Sequence, residues 1–337
     1  MKKTQATIKD LARELNISVS TVSRALHDRP DISEKTKKAV RELAEKLDYQ
    51  PNQIAQGLRQ KRSYVIGVVV PEIVHHFFST IISGIEDIAY ERGFHVMVCQ
   101  SKESFEREKE EIETLMSTRV DGIIVSVSKS TTDFDHFRKI QKRGIPLIFF
   151  DRICHEIKAP GVVCQDYEGA YEATEHFIKH GRKRVAHLRG PEGLVISTQR
   201  LNGYLDALTR NKVKVNKQLI VPAGDIDSGY EQTKKLLELP ERPDGIFAVN
   251  DNAAAGALMA INEKGLEAPK DISVVGFNND PVITKLTKPT LSSIHQPGFE
   301  MGQEAARMFF DVLDEKNQDG PKIKVLPTQL IERGSTL

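Results

Sequence analysis

Short apolar runs that alternate with helical patterns constrain the fold of this 337-residue chain more than any other feature. From Tyr64 onwards, ten runs have the length and near-continuous apolar character of strands that are covered on both faces. They occupy residues 65–70, 94–99, 122–127, 147–150, 162–164, 184–188, 219–222, 245–249, 272–277 and 323–326. Most are followed by a polar loop and a helix, which predicts parallel sheets. Ten strands are many for one sheet, so we expect two Rossmann-like α/β lobes.

The pause in this series at Pro160-Gly161 predicts the boundary between the lobes. We expect the first lobe to contain residues 63–161 and about 292–325, and the second to contain 162–291 and about 326–337. In sheets of this kind, ligands bind at the carboxyl ends of the strands, and two facing lobes create a cleft there.

Aromatic and polar residues follow the predicted strands at these carboxyl ends. They are Phe77, Phe78, Asp151, Arg152, Gln165, Asp166, Arg200, Asn250, Asp251, Asn278 and Asn279. Aromatic faces can stack on a small polyhydroxylated or heterocyclic ligand, and the Asp, Asn and Arg side chains can form hydrogen bonds with it. Each residue alone could equally cap a loop or a turn. The prediction of a ligand site therefore depends on their convergence.

The charges of the chain are segregated. Residues 1–62 contain 14 Lys and Arg against 8 Asp and Glu, whereas the remaining residues contain 34 against 39. A basic segment on an acidic body indicates that only the amino-terminal segment meets phosphate.

Within that segment, residues 7–26 have the pattern of two short helices joined by a tight turn. The first helix has one apolar face, formed by Ile8, Leu11, Ala12 and Leu15. Ser18 can cap the second helix, on which Val22 and Leu26 point inward and Arg24 lies on the outer face. An Arg on an exposed helical face can bind guanine in the major groove, although any amphipathic helix pair could give this pattern.

A third helix, which begins after Ser33, completes a predicted all-α helix-turn-helix head over residues 1–49. Residues 50–62 are predicted to form a hinge, because Pro51 fixes the chain direction and a helix of about eight residues over 53–60 is too short to be stable alone.

Other sequence features exclude several classes of protein. We expect no membrane segment and a cytoplasmic location, since no apolar run approaches the roughly 20 residues that a span requires. Cys99, Cys154 and Cys164 form neither a metal motif nor a disulfide framework, so we expect them to be buried and reduced, and we expect no metal and no cofactor.

Several segments are similar to a known family over essentially the whole chain. They are TIKDLARELNISVSTVSRAL, ISEKT and LDYQPNQIAQGLR in the head and hinge, and VVVPEIVHHFFSTIISGIE, IPLIFFDR, RLNGYLDAL, FAVNDNAAAGAL and ISVVGFNN in the body. In these segments the chain resembles the lactose-repressor (LacI/GalR) family of bacterial transcription regulators. The resemblance implies a periplasmic-binding-protein-like core that binds a small effector. It also implies a homodimer on near-palindromic double-stranded operator DNA, and because no heptad tail follows the last strand we expect a dimer.

The resemblance implies a set of DNA contacts. In the head, Val19, Ser20 and Arg24 would read base edges, while in the hinge Leu58 would insert at the central base step beside Arg59. The full predicted set is Thr7, Ser18, Val19, Ser20, Thr21, Ser23, Arg24, Asn52, Ala55, Leu58 and Arg59. Gln56-Gly57 stands where many members have Arg-Ser, so hinge folding is expected to depend more strongly on DNA.

The predicted effector contacts combine the strand-end residues with the resemblance. They are His76, Phe77, Phe78, Asp151, Asp166, Arg200, Asn250 and Asn278. His75-His76 replaces a frequent Asn-Pro, Gln165-Asp166 replaces Asp-Asn, and Asn278 replaces a frequent Asp. The loss of a charge at Asn278 would tolerate an anionic effector better, and the departures prevent the transfer of one member's ligand to this chain.

Two other classes compete with a regulator. A cytoplasmic α/β enzyme that acts on a sugar or nucleoside could have the same lobes, but the sequence has none of the glycine-rich nucleotide motifs, nucleophile elbows or His-Glu-x-x-His zinc motifs. His75-His76 could bind a metal or act as a base, although it lacks a third partner. A solute-binding protein for uptake is disfavoured by the basic head and by the lack of an export signal.

Overall fold

A computed structural model of the chain describes residues 6–49, 62–315 and 320–336. The chain divides into two compact units, Met1–Ser63 and Tyr64–Leu337, which we call the head and the core. The predicted hinge helix, with Asn52, Ala55, Leu58 and Arg59, lies outside the described residues.

The head contains the three predicted helices, α1 (Ile8–Glu14), α2 (Val19–Leu26) and α3 (Glu34–Lys46). Each begins at a polar capping residue. The backbone N–H of Thr7 donates to Asp10 Oδ2 at 2.9 Å, and the hydroxyls of Ser18 and Ser33 accept from amides three residues later. Such caps typically contribute about 1 kcal/mol to a helix of this length.

The turn between α1 and α2 is made by Asn16, whose positive φ of 50° is a conformation that Asn tolerates better than most residues. The three helices then share one small apolar core. Its buried members are Leu11, Ala12, Val22, Ala25, Val40 and Ala44. Leu26, predicted to point inward, is partly buried against this cluster.

The core contains two six-stranded sheets, and helices separate most of their strands along the chain. The strands are β1 (Val65–Val70), β2 (His95–Gln100), β3 (Gly122–Val125), β4 (Leu147–Phe150), β5 (Gly161–Cys164), β6 (Val185–Arg189), β7 (Ile220–Pro222), β8 (Gly245–Ala248), β9 (Ser273–Asn278), β10 (Ser292–His295), β11 (Ile323–Leu326) and β12 (Gln329–Ile331).

The core helices are α4 (His76–Glu91), α5 (Phe105–Thr118), α6 (Asp135–Lys142), α7 (Asp166–Lys179), α8 (Val195–Arg210), α9 (Ile226–Leu237), α10 (Asp251–Glu263), α11 (Pro281–Leu286) and α12 (Gly298–Leu313). Among the described residues, no helix is long and apolar enough to cross a membrane.

The first sheet has the strand order β11-β5-β4-β3-β1-β2 and is parallel throughout. The second has the order β12-β10-β9-β8-β6-β7 and is parallel except for the edge strand β12. Val68 in the middle of the first sheet pairs with Val98 on one side and Ile124 on the other. Apolar clusters cover both faces of each sheet, so the predicted two-lobed α/β fold is confirmed.

Helices α4 and α12 lie unusually close together over the first sheet. A Cβ atom on Gly84 would lie 2.1 Å from the carbonyl oxygen of Phe299, and one on Gly302 would lie 2.1 Å from that of Ile81. Glycine at both positions therefore permits backbone contact between the helices. This packing attaches α12, near the end of the chain, to the first lobe.

The predicted boundaries of the lobes are wrong at two strands. The sequence predicts residues 162–164 in the second lobe, but Val162 pairs with Phe150 and Lys324 in the first sheet. Pro160 and Gly161 instead lead into β5 within the first lobe: Gly161 is the first residue of that strand, and its amide donates to the carbonyl oxygen of Lys322, directly before β11.

Strand β10, in the predicted first-lobe range 292–325, instead pairs with β9 in the second sheet. The chain therefore crosses between the lobes three times, between β5 and α7, between β10 and α12, and between β11 and β12.

Strands β10 and β12 were missed by the sequence analysis. In β10, Ser292 and Ser293 are fully buried, and their hydroxyls bond to Thr336 and Asp251, so the strand lacks an apolar run. Strand β12 is a three-residue edge strand, and only Leu330 packs against an apolar cluster. Both strands depend on long-range hydrogen bonds that a local pattern does not contain.

Candidate functional site

The amino-terminal half of α2 presents small polar side chains on the surface of the head. Ser18, Val19 and Ser20 are exposed, and Val19 retains 41% of its accessible surface although it is apolar. The Ser18 hydroxyl lies 2.7 Å from that of Ser20 and 2.8 Å from that of Thr21. Thr7 is also exposed, at the start of α1, and Ser23 is partly buried in α2. These positions agree with the predicted DNA-reading face, and contact with DNA stays a prediction.

Arg24 is half-exposed on the same helix and forms an ion pair with Asp31 in the loop before α3. The sequence analysis missed this partner. In the free head, Asp31 neutralises the guanidinium and holds one of its amino groups. A DNA base or phosphate must therefore compete with Asp31 or use the remaining N–H donors.

A buried charged cluster lies at the carboxyl ends of the core strands, where it was predicted. Arg200 of α8 is 4% exposed and donates from Nε to Asp166 Oδ1 at 2.7 Å and from Nη1 to the carbonyl oxygen of Val249 at 2.6 Å. Its guanidinium carbon lies 3.7 Å from the centroid of the Phe277 ring. Burial raises the pKa of Asp166, and the neighbouring Arg200 opposes that rise.

Asp151 belongs to the same cluster and has a positive φ of 58° directly after β4. Burial raises the pKa of its carboxyl to about 6; Asp166 adds to the rise and Arg152 opposes it. Arg152 Nε lies 3.8 Å from Asp151 Oδ2, beyond hydrogen-bonding distance, and has no hydrogen-bond partner among the described residues. The Arg152 Nε donor and the Asp151 carboxylate are therefore neighbours that do not form a hydrogen bond with each other.

Other atoms of the Arg152 guanidinium have defined partners. Its Nη1 donates to both carboxylate oxygens of Glu103 at 2.8 Å, and its guanidinium lies over the Phe78 ring at 5.9 Å. Phe78 itself is 5% exposed and packs in the apolar core of the first lobe. Glu103 was not among the predicted residues, because it follows a strand by only a short polar turn with no distinctive pattern.

A cavity of about 210 Å³ opens between the two lobes. Its lining includes His76, Phe77, Thr80, Asn278, His295 and Gln296. His76 and Phe77 come from the first turn of α4, and Asn278 comes from the end of β9, as predicted. His295 is the last residue of the missed strand β10 and Gln296 follows it, which explains why neither was predicted.

Gln296 links this cavity to the charged cluster. It is 3% exposed and its Nε2 lies 3.0 Å from Cys164 Sγ at the end of β5. Cys164 in turn interacts with Asp166, and burial raises the pKa of its thiol well above the usual range. Gln296 and Cys164 therefore connect the cavity to the Asp166–Arg200 pair in one polar region.

Asn250 has a well-defined structural role instead of a place in the cavity lining. Its side-chain oxygen caps α10 by accepting from the amide of Ala253 at 2.8 Å, and its Nδ2 donates to the carbonyl oxygen of Gly224 at 2.8 Å. Asn250 thus has the capping role that any strand-end residue could have. Its contact with an effector stays a prediction.

His75 interacts with Glu72 at 2.9 Å, and within residues 6–49, 62–315 and 320–336 no group of three His, Cys, Asp or Glu side chains could hold a metal ion. All three cysteines are free and buried, as predicted.

Comparison with known proteins identifies the family. The model of bacterial regulatory proteins of the lacI family matches residues 7–52, and that of the periplasmic binding protein-like domain matches residues 174–336. The ribose operon repressor of Halalkalibacterium halodurans is 33% identical over 98% of this chain and 97% of its own length. The chain belongs to the lacI family of bacterial regulatory proteins.

Other members of the lacI family agree over the full length. The HTH-type transcriptional repressor CytR of Escherichia coli K12 is 32% identical over 99% of this chain and 97% of its own length. The crystal structure of a lac repressor dimer bound to operator and an anti-inducer is similar with a TM-score of 0.88, at 28% identity, and covers 99% of this chain and 100% of that chain. The protein is thus a DNA-binding transcriptional regulator of the lacI family and not an enzyme.

Proposed function

We propose that the protein is a repressor that binds near-palindromic operator DNA as a homodimer and that a small polar ligand in the core controls this binding. The ligand is a sugar or a sugar derivative. The protein acts in the cytoplasm, where its operator lies. The observation that carries the proposal is the polar region at the junction of the lobes, in which buried charges adjoin an open cavity.

The chemistry of this region fits a polyhydroxylated ligand. A hydroxyl group between Asp151 and Arg152 could donate to the carboxylate and accept from the unpaired Nε, so that both buried groups would be satisfied. Phe77 offers an apolar surface for a sugar ring, and Asn278 and Gln296 offer amides for further hydroxyls. A lacI-family regulator of Enterococcus faecium, 31% identical with a TM-score of 0.71 over 81% of this chain and 98% of that chain, has been solved with bound ribose.

The three crossings between the lobes offer a way for a ligand to control DNA binding, since they connect the two lobes that would move relative to each other. Because residues on both sides of these crossings line the cavity, a ligand that contacts both lobes favours one degree of lobe closure. The predicted hinge at 50–62 would transmit this change to the two heads of a dimer. A coupling free energy of about 1–3 kcal/mol changes operator affinity by roughly 5 to 150-fold.

Two measurements on the purified full-length protein test this proposal. Selection from a random duplex library should return a near-palindromic site, whereas enrichment of no common sequence would contradict an operator-binding role. Thermal unfolding with D-ribose, cellobiose, sugar acids and nucleosides should reveal a ligand that raises the unfolding temperature as its concentration rises. Turnover of any of these compounds would contradict a purely regulatory role.

A further inference from the structure

Two residues of the cavity wall lie in a strained turn. Asn278 and Asn279 have positive φ values of 111° and 59°, and both side chains line the cavity. Asn tolerates the φ of Asn279, but a residue other than glycine keeps the φ of Asn278 only where the surrounding structure holds it. The turn therefore needs an external support.

The support is a carboxylate behind the wall. Asp251, the first residue of α10, is 1% exposed; its Oδ2 accepts from the amide of Asp280 at 2.6 Å and its Oδ1 accepts from the Ser293 hydroxyl at 2.6 Å. The same Ser293 oxygen accepts from the amide of Asn279 at 3.0 Å. Two consecutive amides of the turn are thus held by Asp251, one directly and one through a single hydroxyl.

Neighbouring residues complete this arrangement. A Cβ atom on Gly276 would lie 2.1 Å from Asp251 Oδ1, so glycine in β9 makes room for the carboxylate. From the other side, Arg333 donates from Nη2 to the side-chain oxygen of Asn279 at 2.7 Å and from Nη1 to the carbonyl oxygen of Leu291 at 2.9 Å. The charged groups that influence Asp251 are the Asp280 carboxylate and the Arg333 guanidinium.

We propose that Asp251 is a positioning residue for the effector cavity, because its carboxylate fixes the turn 278–280 in the shape that presents Asn278 and Asn279 to a ligand. Asp251 is not among the residues that line the cavity, so it acts through the turn. The inference rests on the proposed function in one respect, since it assumes that the ligand of the cavity is an effector.

Hydrogen exchange measured by mass spectrometry on the ligand-free, full-length protein tests the inference. In Asp251→Ala, exchange of the amides of Asn279 and Asp280 should increase at least about tenfold, which corresponds to about 1.4 kcal/mol. In Asp251→Asn, exchange should stay near the wild-type rate, because the amide oxygen can accept from Asp280 while its N–H donates to Ser293. Asp227→Asn, at an exposed position in α9, is the matched control and should change nothing in this turn.

Two results would overturn the inference: a folded Asp251→Ala protein with wild-type exchange at the turn, or equal acceleration throughout the second lobe. If Asp251→Ala does not fold, Ser293→Ala removes the hydroxyl that links Asn279 to Asp251 and keeps the direct bond from the amide of Asp280 to Asp251. Exchange at Asn279 should then increase more than at Asp280, and an unchanged rate at Asn279 would again overturn the inference. Because no ligand is used, these results are independent of whether a sugar controls operator binding.

Discussion

Single residues at the lobe junction carry a pH dependence that can be measured. Burial raises the pKa of Asp251 to about 7, whereas an unfolded Asp titrates near its ordinary value of 3.8. Between these values the folded state holds a proton that the unfolded state has released, so the stability contributed by Asp251 is present at low pH and is lost as the pH rises towards 7.

Asp251→Asn removes this dependence. Between about pH 5 and about pH 7.5, the wild type should therefore lose at least about 1 kcal/mol of unfolding free energy relative to Asp251→Asn. Urea unfolding of both proteins at the two pH values measures the difference, in which the contribution of Asp151 cancels. A difference that is independent of pH would mean that Asp251 titrates in the same range whether the protein is folded or unfolded.

The buried pair Arg200–Asp166 gives a second test at this scale. Arg200→Ala should abolish the response to effector while operator binding is kept, and it should cost the core about 3–5 kcal/mol, because Asp166 is left buried without its partner. The double variant Arg200→Ala/Asp166→Ala should recover part of that loss. Chemical unfolding and operator binding with and without effector check both statements, and a normal response in Arg200→Ala would place the effector elsewhere.

Residue types at strand ends located Asp151, Asp166, Arg200 and Asn278, because carboxyl ends of parallel strands always meet at one edge of a sheet. They could not locate Gln296, and they identified Asp251 as a candidate without predicting its role. Gln296 follows a strand made of buried serines, and the role of Asp251 depends on Ser293, 42 residues away in sequence. Such side-chain pairings are set by tertiary contacts and leave no local pattern.

Among the elements, α2 has the most sharply predicted role. Arg24→Ala should relax discrimination at one operator position, at a cost of about 1–3 kcal/mol against the preferred base. Binding to operators with single base substitutions measures this effect, and Arg13→Ala on the exposed face of α1 is the matched control. Equal losses on every sequence would mean that Arg24 touches only phosphate.

The hinge carries the other prediction for an element. If Leu58 inserts at the central base step, Leu58→Ala should weaken operator binding severely and leave effector affinity nearly unchanged, because this side chain would contact DNA and not the effector. Fluorescence anisotropy with labelled operator and calorimetry with effector measure the two affinities. Unchanged operator affinity would remove Leu58 from the interface.

The strands show how far elements could be predicted. Central strands such as β3, β4 and β8 were predicted correctly because they are buried on both faces, which is the condition that the pattern detects. The edge strands β2, β7 and β11 are partly exposed, and they were found because their apolar residues still form short runs. The predicted lobe boundary at Pro160-Gly161 is wrong because these residues lead into β5 of the first sheet, and a local pattern does not show which sheet a strand joins. Crossings between the lobes depend on which edge each strand joins, and this is decided by the sheet as a whole.

For the whole molecule, the central claim is that a ligand at the junction of the lobes changes operator affinity at the head. Equilibrium anisotropy of labelled operator with the full-length protein, with and without a saturating concentration of the ligand found by thermal unfolding, tests it most directly. The account predicts a change in the dissociation constant of about tenfold or more, lost in Arg200→Ala. An identical dissociation constant at saturating ligand in the wild type would contradict it.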